Sequence, residues 1–516
     1  MNYFVLTLFS IWPFISFVSN NISKGIFIGE IINFYLGVLF ALIIFYTVLK
    51  SVTKKDKKSL SIIIFIYIMF FMFFIFDEVM IDSLNIYRIL VWWIVNLVGV
   101  FYIWKNPYEK SPHKLYSIIL FIFYIVPLVN VLYYAYNLKP TNLELSTENT
   151  FPEIKGDKPN VYFFILDAYA RSDILKKNFS HDSADFLSKL EKNRFSIVKN
   201  SFSNYPLTYL SVASTLSMDY LVSTNDIITS REPFIPLLRG SSEVPKYFKS
   251  QGYQYIHAHS HVWAGSACDD LGLIDKCLPE KKESLYDVIF YNESIENILK
   301  LTPVPSAIKF LYDSLPNIDE DLSNIGFFSE GRLQHLEQIN TKVDSFLENE
   351  PFFLFAHVFT PHEPNTYGEN CEKVSDLTYD AAQYKTDFIK QVKCSEADVL
   401  ELIDTIIRLD KSNPIIVLQG DHGSESRNQW SKGIDDWNEE DILERFAILN
   451  AVRLPNQCDN LLYNNMTSVN TFRVIISCLA NENVKLLPDI SFLTLYEGSP
   501  DYGLIKEKIR DGIIVR

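Results

Sequence analysis

Five apolar runs dominate the first quarter of the chain, at about 3–19, 29–49, 60–76, 85–104 and 115–136. Each approaches the ~20 residues that a helix needs to cross the hydrocarbon core of a bilayer. Core helices of soluble proteins are shorter and carry polar stripes, whereas IIIFIYIMFFMFFIF at 62–76 has no polar face. The pattern predicts an α-helical transmembrane domain of about five helices over residues 1–136. The first run, which contains Pro13, is the weakest of the five. A cleaved signal peptide is its rival reading, but Met1, Asn2 and Tyr3 supply no basic start and no small-residue cleavage site follows. A retained helix is therefore expected.

From Val161 the pattern changes to short apolar runs between amphipathic stretches. VYFFIL (161–166), FFLFAHV (352–358) and IIVLQ (415–419) are continuous apolar segments of strand length. Such segments read as strands buried on both faces, which predicts an α/β domain with a central mixed β-sheet flanked by helices. Pro140, Pro152, Gly156 and Pro159 mark residues 137–158 as a linker, leaving 159–516 as the outer domain.

Charge in the short connections sets an expected orientation. Lys50, Lys54, Lys55, Lys57 and Lys58 follow the second run, and Lys105, Lys110 and Lys114 follow the fourth. The connection after the third run is acidic, with Asp77, Glu78 and Asp82. Positive loops stay on the cytoplasmic side, so five crossings put the N-terminus inside and everything after about 137 outside. The six cysteines, Cys268, Cys277, Cys371, Cys394, Cys458 and Cys478, all lie in that outer part and none has C-x-x-C spacing. Their even number points to disulfides in an oxidising compartment, paired most simply in sequential order. The expected location is an integral protein of the inner or plasma membrane, with the outer domain periplasmic or extracellular.

A formal net charge of -15 with no basic stripe excludes a nucleic-acid partner, which demands clustered Lys and Arg. Candidate chemistry lies where reactive groups of α/β folds collect, at the carboxyl ends of the strands. VYFFIL is followed by Asp167, FFLFAHV leads to His362 in TPHEP, and IIVLQ leads to Asp421 and His422 in GDHGSES. An Asp-His pair between glycines is a compact oxygen and nitrogen ligand set for a divalent ion. Taken alone, Asp167 also reads as a helix N-cap and His362 as a surface loop residue. In YIHAHSHVW, His257, His259 and His261 alternate and would share one face of a strand, with His259 the candidate substrate contact. Arg171 and Glu425 are further candidate substrate contacts.

PNVYFFILDAYAR, NSFSNYPLTYLSVASTLSMDYL, FTPHEP and VLQGDHGSE, in this order over roughly 159–455, resemble the sulfatase-type branch of the alkaline-phosphatase superfamily. The helical anchor ahead of such a domain further resembles lipoteichoic-acid synthases and lipid A phosphoethanolamine transferases. The resemblance implies that Asp167, Asp421 and His422 bind a metal, with Thr208 as nucleophile and fourth ligand. It also implies that His362 contacts the phosphoryl oxygens or the leaving group. Sulfatases carry C-x-P-S-R where this chain has Thr208, Tyr209, Leu210, Ser211 and Val212. Neither guide residue for formylglycine formation is present, so a formylglycine sulfatase is not expected. On the residues alone Ser203, Ser211, Ser214 and Thr215 remain rival hydroxyls. Relatives usually carry a further histidine soon after D-H-G, and 424–437 has none.

The expected function is transfer of a phosphoethanolamine or phosphoglycerol group from a phospholipid donor to a glycan or lipid acceptor, through a phospho-threonine. A mixed carboxylate, imidazole and hydroxyl site suits Zn²⁺ or Mn²⁺. A phosphodiesterase or other sulfatase-like hydrolase with the same site is the enzymatic alternative. A non-catalytic membrane-bound assembly protein is the alternative of another class.

Overall fold

The computed structural model describes residues 2–21, 28–73, 85–105, 113–137, 150–228, 230–258, 268, 273–278, 293–307, 335–347, 351–363, 367–368, 370–372, 383–496 and 499–515. The chain divides into two compact units, Met1–Lys139 with Glu283–Phe328, and Pro140–Lys282 with Ser329–Arg516.

In the first unit the apolar runs form the helices Asn2–Asn21, Ile28–Thr53, Asp56–Phe71, Asn85–Lys105 and His113–Asn137. The first helix, whose sequence signal is the weakest, is central to the bundle. It buries Leu6, Phe9, Pro13 and Phe17 at the three-to-four-residue spacing of a helix face. Its backbone also receives neighbouring hydroxyls: Tyr67 Oη donates to the Ser10 carbonyl and Tyr124 Oη to the Leu8 carbonyl, each at 2.5 Å. The described residues 293–307 group with this unit, where Ile298 packs among Phe14, Phe17, Ile31, Tyr67 and Phe71. The outward faces are apolar, with Phe40, Phe45, Trp93, Leu97, Phe101, Phe121 and Val126 all exposed. An apolar surface of that extent needs a non-aqueous partner. Among the described residues, Asn2–Asn21 and Ile31–Thr53 are by length and hydropathy sufficient to cross a membrane.

The second unit is the expected α/β domain. Its main sheet has the strands β1 (Val161–Leu166), β2 (Ser196–Ile197), β3 (Gln254–Ala258), β4 (Lys276–Leu278), β5 (Phe352–Val358), β6 (Ile415–Gly420) and β7 (Asn450–Arg453), in the order β2-β7-β6-β1-β5-β3-β4. β1 runs parallel to both β5 and β6, and β3 is parallel to β5 and β4. β7 is antiparallel to β6 and β2 to β7, so the sheet is mixed. Every residue of β1, β5 and β6 is buried, because helices cover both faces. On one face Tyr162, Phe164 and Leu166 join a core with Leu402, Ile403 and Ile406 of the long helix Tyr384–Leu409. On the other, Phe163 meets Phe472 edge-on at 5.0 Å and Phe353 stacks on Phe248 at 5.0 Å. Truncating such a phenylalanine to alanine costs about 3–5 kcal/mol. A second sheet of β8 (Ile490–Leu493), β9 (Lys506–Arg510) and β10 (Ile513–Ile514) is antiparallel.

The cysteines pair sequentially as expected: Cys268 with Cys277, Cys371 with Cys394, and Cys458 with Cys478.

Candidate active site

Register builds the site. Leu166 at the end of β1 lies opposite Val358 in β5 and Gly420 in β6. The residues that follow, Asp167 and Asp421, therefore leave adjacent parallel strands side by side. Ala168 adopts a left-handed φ of 63°, and its N–H donates to Asp421 Oδ1 at 3.1 Å. A non-glycine residue in that conformation stores strain that the surrounding contacts must offset. The N–H of His422 donates to the same Asp421 oxygen at 2.9 Å, which fixes the carboxylate between the two turns. Gly423 is required by space: a Cβ there would lie 2.0 Å from the Glu444 carbonyl oxygen.

His422 Nδ1 lies 3.0 Å from the Gly423 carbonyl, an atom that can only accept, so Nδ1 carries the hydrogen. The Nε2 lone pair then faces 3.5 Å to Asp167 Oδ1 and 3.4 Å to Asp421 Oδ2. Those two carboxylate oxygens are buried and have no hydrogen-bond partner. One ligating atom from each of Asp167, Asp421 and His422 lies within 4.8 Å of the others. Three converging acceptors, two of them on carboxylates, repel one another unless a cation sits between them. The donor set thus fits a divalent metal, and the ordered partner of His422 Nδ1 is the support that metal-bound imidazoles usually have.

Electrostatics follow from this crowding. Burial and the charge of Asp167 push the Asp421 carboxyl up to about 6. Burial and the nearby Arg445 charge hold His422 well below the usual histidine range, so it stays neutral. Burial would raise Asp167, but His362, His357 and His422 around it hold it well below the usual carboxylate range. Burial opposes charging of His362, yet the charges of Asp167 and Glu425 raise it.

Thr208 opens the helix Thr208–Ser217, with its Oγ1 3.2 Å from His422 Nε2. It is the one residue of that helix that is not buried. The rival hydroxyls are enclosed: Ser203, Ser211, Ser214 and Thr215 are at most 1% exposed, and Ser214 and Thr215 donate to backbone carbonyls. His362 follows the cis Thr360–Pro361 bond, and its Nδ1 meets the Glu363 carbonyl at 2.7 Å. That leaves Nε2 for the site, with the ring 6.1 Å from that of His422.

Residues 159–446, more than half the chain, match the family described as Sulfatase. The chain belongs to the sulfatase family. No match is found among curated proteins. Solved structures similar to this sulfatase-family chain include the C-terminal periplasmic domain of EcEptC from Escherichia coli, at 10% identity and TM-score 0.40, covering 68% of this chain and 96% of that one. The soluble domain of lipooligosaccharide phosphoethanolamine transferase A from Neisseria meningitidis is similar at 11% and 0.38, covering 65% and 94%. A protein of the alkaline phosphatase superfamily from Vibrio parahaemolyticus is similar at 11% and 0.40, covering 69% and 78%.

Among the remaining candidates, Glu425 is at the site, its Oε2 receiving Arg445 Nη1 at 3.0 Å and Trp430 Nε1 at 2.9 Å. Arg171 is not brought to the cluster. It is held by Asp173, Asn200 and the Ser201 carbonyl, with its guanidinium over Phe202. His259 and His261 lie outside the described residues; His257 is buried, with Nδ1 2.7 Å from Tyr255 Oη. Three residues escaped the sequence reading. His357, the lone polar residue inside the apolar run of β5, places Nε2 3.2 Å from Asp167 Oδ2, and its position in that run was the available signal. Arg445 and Tyr496 carry no such signal. Arg445 is fully buried and donates to the Pro206 carbonyl at 2.8 Å and the Gly423 carbonyl at 3.2 Å, tying the Thr208 loop to the His422 loop.

Proposed function

We propose that this chain is a membrane-held phosphotransferase that carries the transferred group on Thr208. The observation that carries the reading is the single accessible hydroxyl of the Thr208 helix, set against a buried cluster whose acceptors call for a cation. Asp167, Asp421, His422 and Thr208 would hold the metal, Zn²⁺ or Mn²⁺ by the chemistry of the donor set. When bound, the metal lowers the pKa of the threonine hydroxyl and neutralises phosphoryl charge.

The protein groups do the rest. Thr208 Oγ1 attacks phosphorus in line, the bond between phosphorus and the lipid alcohol breaks, and the head-group phosphate stays on the threonine. The helix N-terminus behind Thr208 favours the anionic group. His362 Nε2 donates to the phosphoryl oxygens or to the departing alcohol. An acceptor hydroxyl, on a glycan or a lipid, then attacks the phospho-threonine and restores the enzyme. Donors of phosphoethanolamine and of phosphoglycerol both fit this scheme. Hydrolysis differs only in that water makes the second attack, so a phosphodiesterase is the competing reading.

Five helices with exposed apolar faces fit a bilayer, and the lysine-rich connections fit a cytoplasmic N-terminus with the second unit outside. Three disulfides fit the same side.

The test is intact-mass and metal analysis of the chain, wild type beside Thr208→Ala, after exposure to phosphatidylethanolamine and phosphatidylglycerol. A head-group phosphate on wild type alone, with metal present, supports the reading and names the donor. Label that reaches a glycan or lipid acceptor indicates transfer, and label found only in soluble product indicates hydrolysis. Failure to bind any divalent metal would end the catalytic reading.

A further inference from the structure

One wall of the site is built from parts that the mechanism above does not use. Arg445, from the helix Glu439–Phe446, spends its guanidinium on four acceptors: the Pro206 and Gly423 carbonyls, Glu425, and Tyr496 Oη at 3.4 Å. Its charge lies over the Trp430 ring at 4.8 Å, and Trp430 packs on the Tyr496 ring with centroids 4.3 Å apart. The tyrosine follows β8 of the second sheet, outside the residues that match the family. It is clamped by an aromatic ring on its side and a guanidinium at its tip.

The hydrogen-bond inventory of that hydroxyl is one-sided. An arginine can only donate, so Tyr496 Oη accepts from Arg445, and its own hydrogen goes to no acceptor among the described residues. The guanidinium that holds the hydroxyl also bonds Glu425 and the carbonyls of Pro206 and Gly423, which flank Thr208 and His422, so the hydroxyl borders the site. A phosphoryl group at Thr208 presents two non-bridging oxygens, and Arg445 is already committed. The stretch 424–437 offers no histidine as a further donor.

We propose that Tyr496, oriented by Arg445 and Trp430, donates its hydroxyl hydrogen to a non-bridging oxygen of the bound phosphoryl group, with Arg445 as its positioning residue. This rests on the phosphotransferase reading only in that a phosphoryl group occupies the site. Burial pushes the Tyr496 hydroxyl up to about 12, so it keeps its hydrogen at neutral pH. Tyr496 thus makes the second sheet part of the active site.

The experiment uses the full chain in detergent, loaded with zinc, and inorganic phosphate as probe in isothermal titration calorimetry. Tyr496→Phe removes one oxygen and keeps the ring against Trp430. A charge-assisted hydrogen bond lost to an anion lowers affinity about tenfold or more, so the expected result is weaker phosphate binding with unchanged zinc affinity and melting temperature. Arg445→Lys, which keeps the charge and loses the fork, should weaken phosphate in the same direction. Unchanged phosphate affinity in Tyr496→Phe overturns the proposal, as does a wild type that binds zinc and no phosphate. Loss of phosphate affinity in Arg445→Lys alone also overturns it, because Tyr496 then plays no part. If phosphate binding depends on Tyr496 while no phospholipid labels Thr208, the clamp stands and the phosphotransferase reading falls.

Discussion

Replacing Asp421 by asparagine should stabilise the metal-free protein while destroying the proposed metal site. Asp421 Oδ1 accepts from Ala168 N and His422 N, and an asparagine carbonyl oxygen can accept both. The other oxygen, Oδ2, has no hydrogen-bond partner. In the variant an amide nitrogen stands there, 3.4 Å from the His422 Nε2 lone pair, to which it can donate. A repulsive contact becomes an attractive one with no change of volume.

The magnitude follows from the Asp421 pKa, which burial and then Asp167 raise from 3.8 to about 6. At ~1.4 kcal/mol per pH unit that gap corresponds to about 3 kcal/mol. The sign is set by which state holds the proton more tightly, here the folded one. Above pH 6 both states are ionised and the folded state bears the full cost. As pH falls from about 6 towards 3.8 the folded state takes up its proton first and the cost is relieved. Asparagine has no such titration. The advantage of Asp421→Asn should therefore be about 3 kcal/mol at pH 7.5, or roughly 5 °C in melting temperature for a unit of this size, and should vanish towards pH 4. Melting of the chelator-treated chain by intrinsic fluorescence at several pH values measures it. Zinc at a hundred times its dissociation constant should stabilise wild type by about 2.7 kcal/mol and the variant hardly at all. A variant less stable than wild type without metal at pH 7.5, or equal stabilisation of both by zinc, would refute the reasoning.

Three further outcomes are expected. Thr208→Ser should keep a head-group adduct in intact-mass spectra and Thr208→Ala should lose it; equal labelling of both would move the nucleophile elsewhere. Gly423→Ala would put a Cβ 2.0 Å from the Glu444 carbonyl oxygen, so the His422 loop must shift and zinc affinity measured by calorimetry should fall at least tenfold in a folded chain. Replacing Cys371 and Cys394 by serine opens a bridge across a sequence separation of 23 and should lower stability by about 3 kcal/mol on the loop-entropy model. Denaturant unfolding checks it, and an unchanged midpoint refutes it.

The central strands were legible in the sequence because burial on both faces leaves an unbroken apolar run. β1, β5 and β6 announce themselves in this way. β2 has two residues, β7 four and the strands of the second sheet two to five, too short for any period to register. The first run reads as the weakest of the five because it contains Pro13, yet Pro13 lies buried inside the helix Asn2–Asn21, as do its polar Ser10 and Ser19. A helix packed against other helices can carry such groups when their hydrogen bonds close locally, as Ser10 Oγ does on the Thr7 carbonyl.

The site was legible as far as it hangs on strand ends, and no further. Asp167, Asp421 and His422 follow apolar runs directly, and parallel pairing turns that sequence position into spatial proximity. Arg171 shows the limit of the same logic. It stands four residues beyond Asp167, but the left-handed turn at Ala168 and the contacts with Asn200 and Ser201 carry it away. Thr208 was singled out by resemblance, and in the structure its exposure and the 3.2 Å approach of its Oγ1 to His422 Nε2 separate it from Ser211 and Ser214. Arg445 and Tyr496 are 51 residues apart, and what joins them is a hydrogen bond between a helix and a loop of the second sheet. No local period encodes such a contact. The candidate metal ligands draw on the ends of the central strands, whereas the wall beside them joins Glu425, Trp430 and Arg445 to Tyr496, which follows the second sheet's first strand.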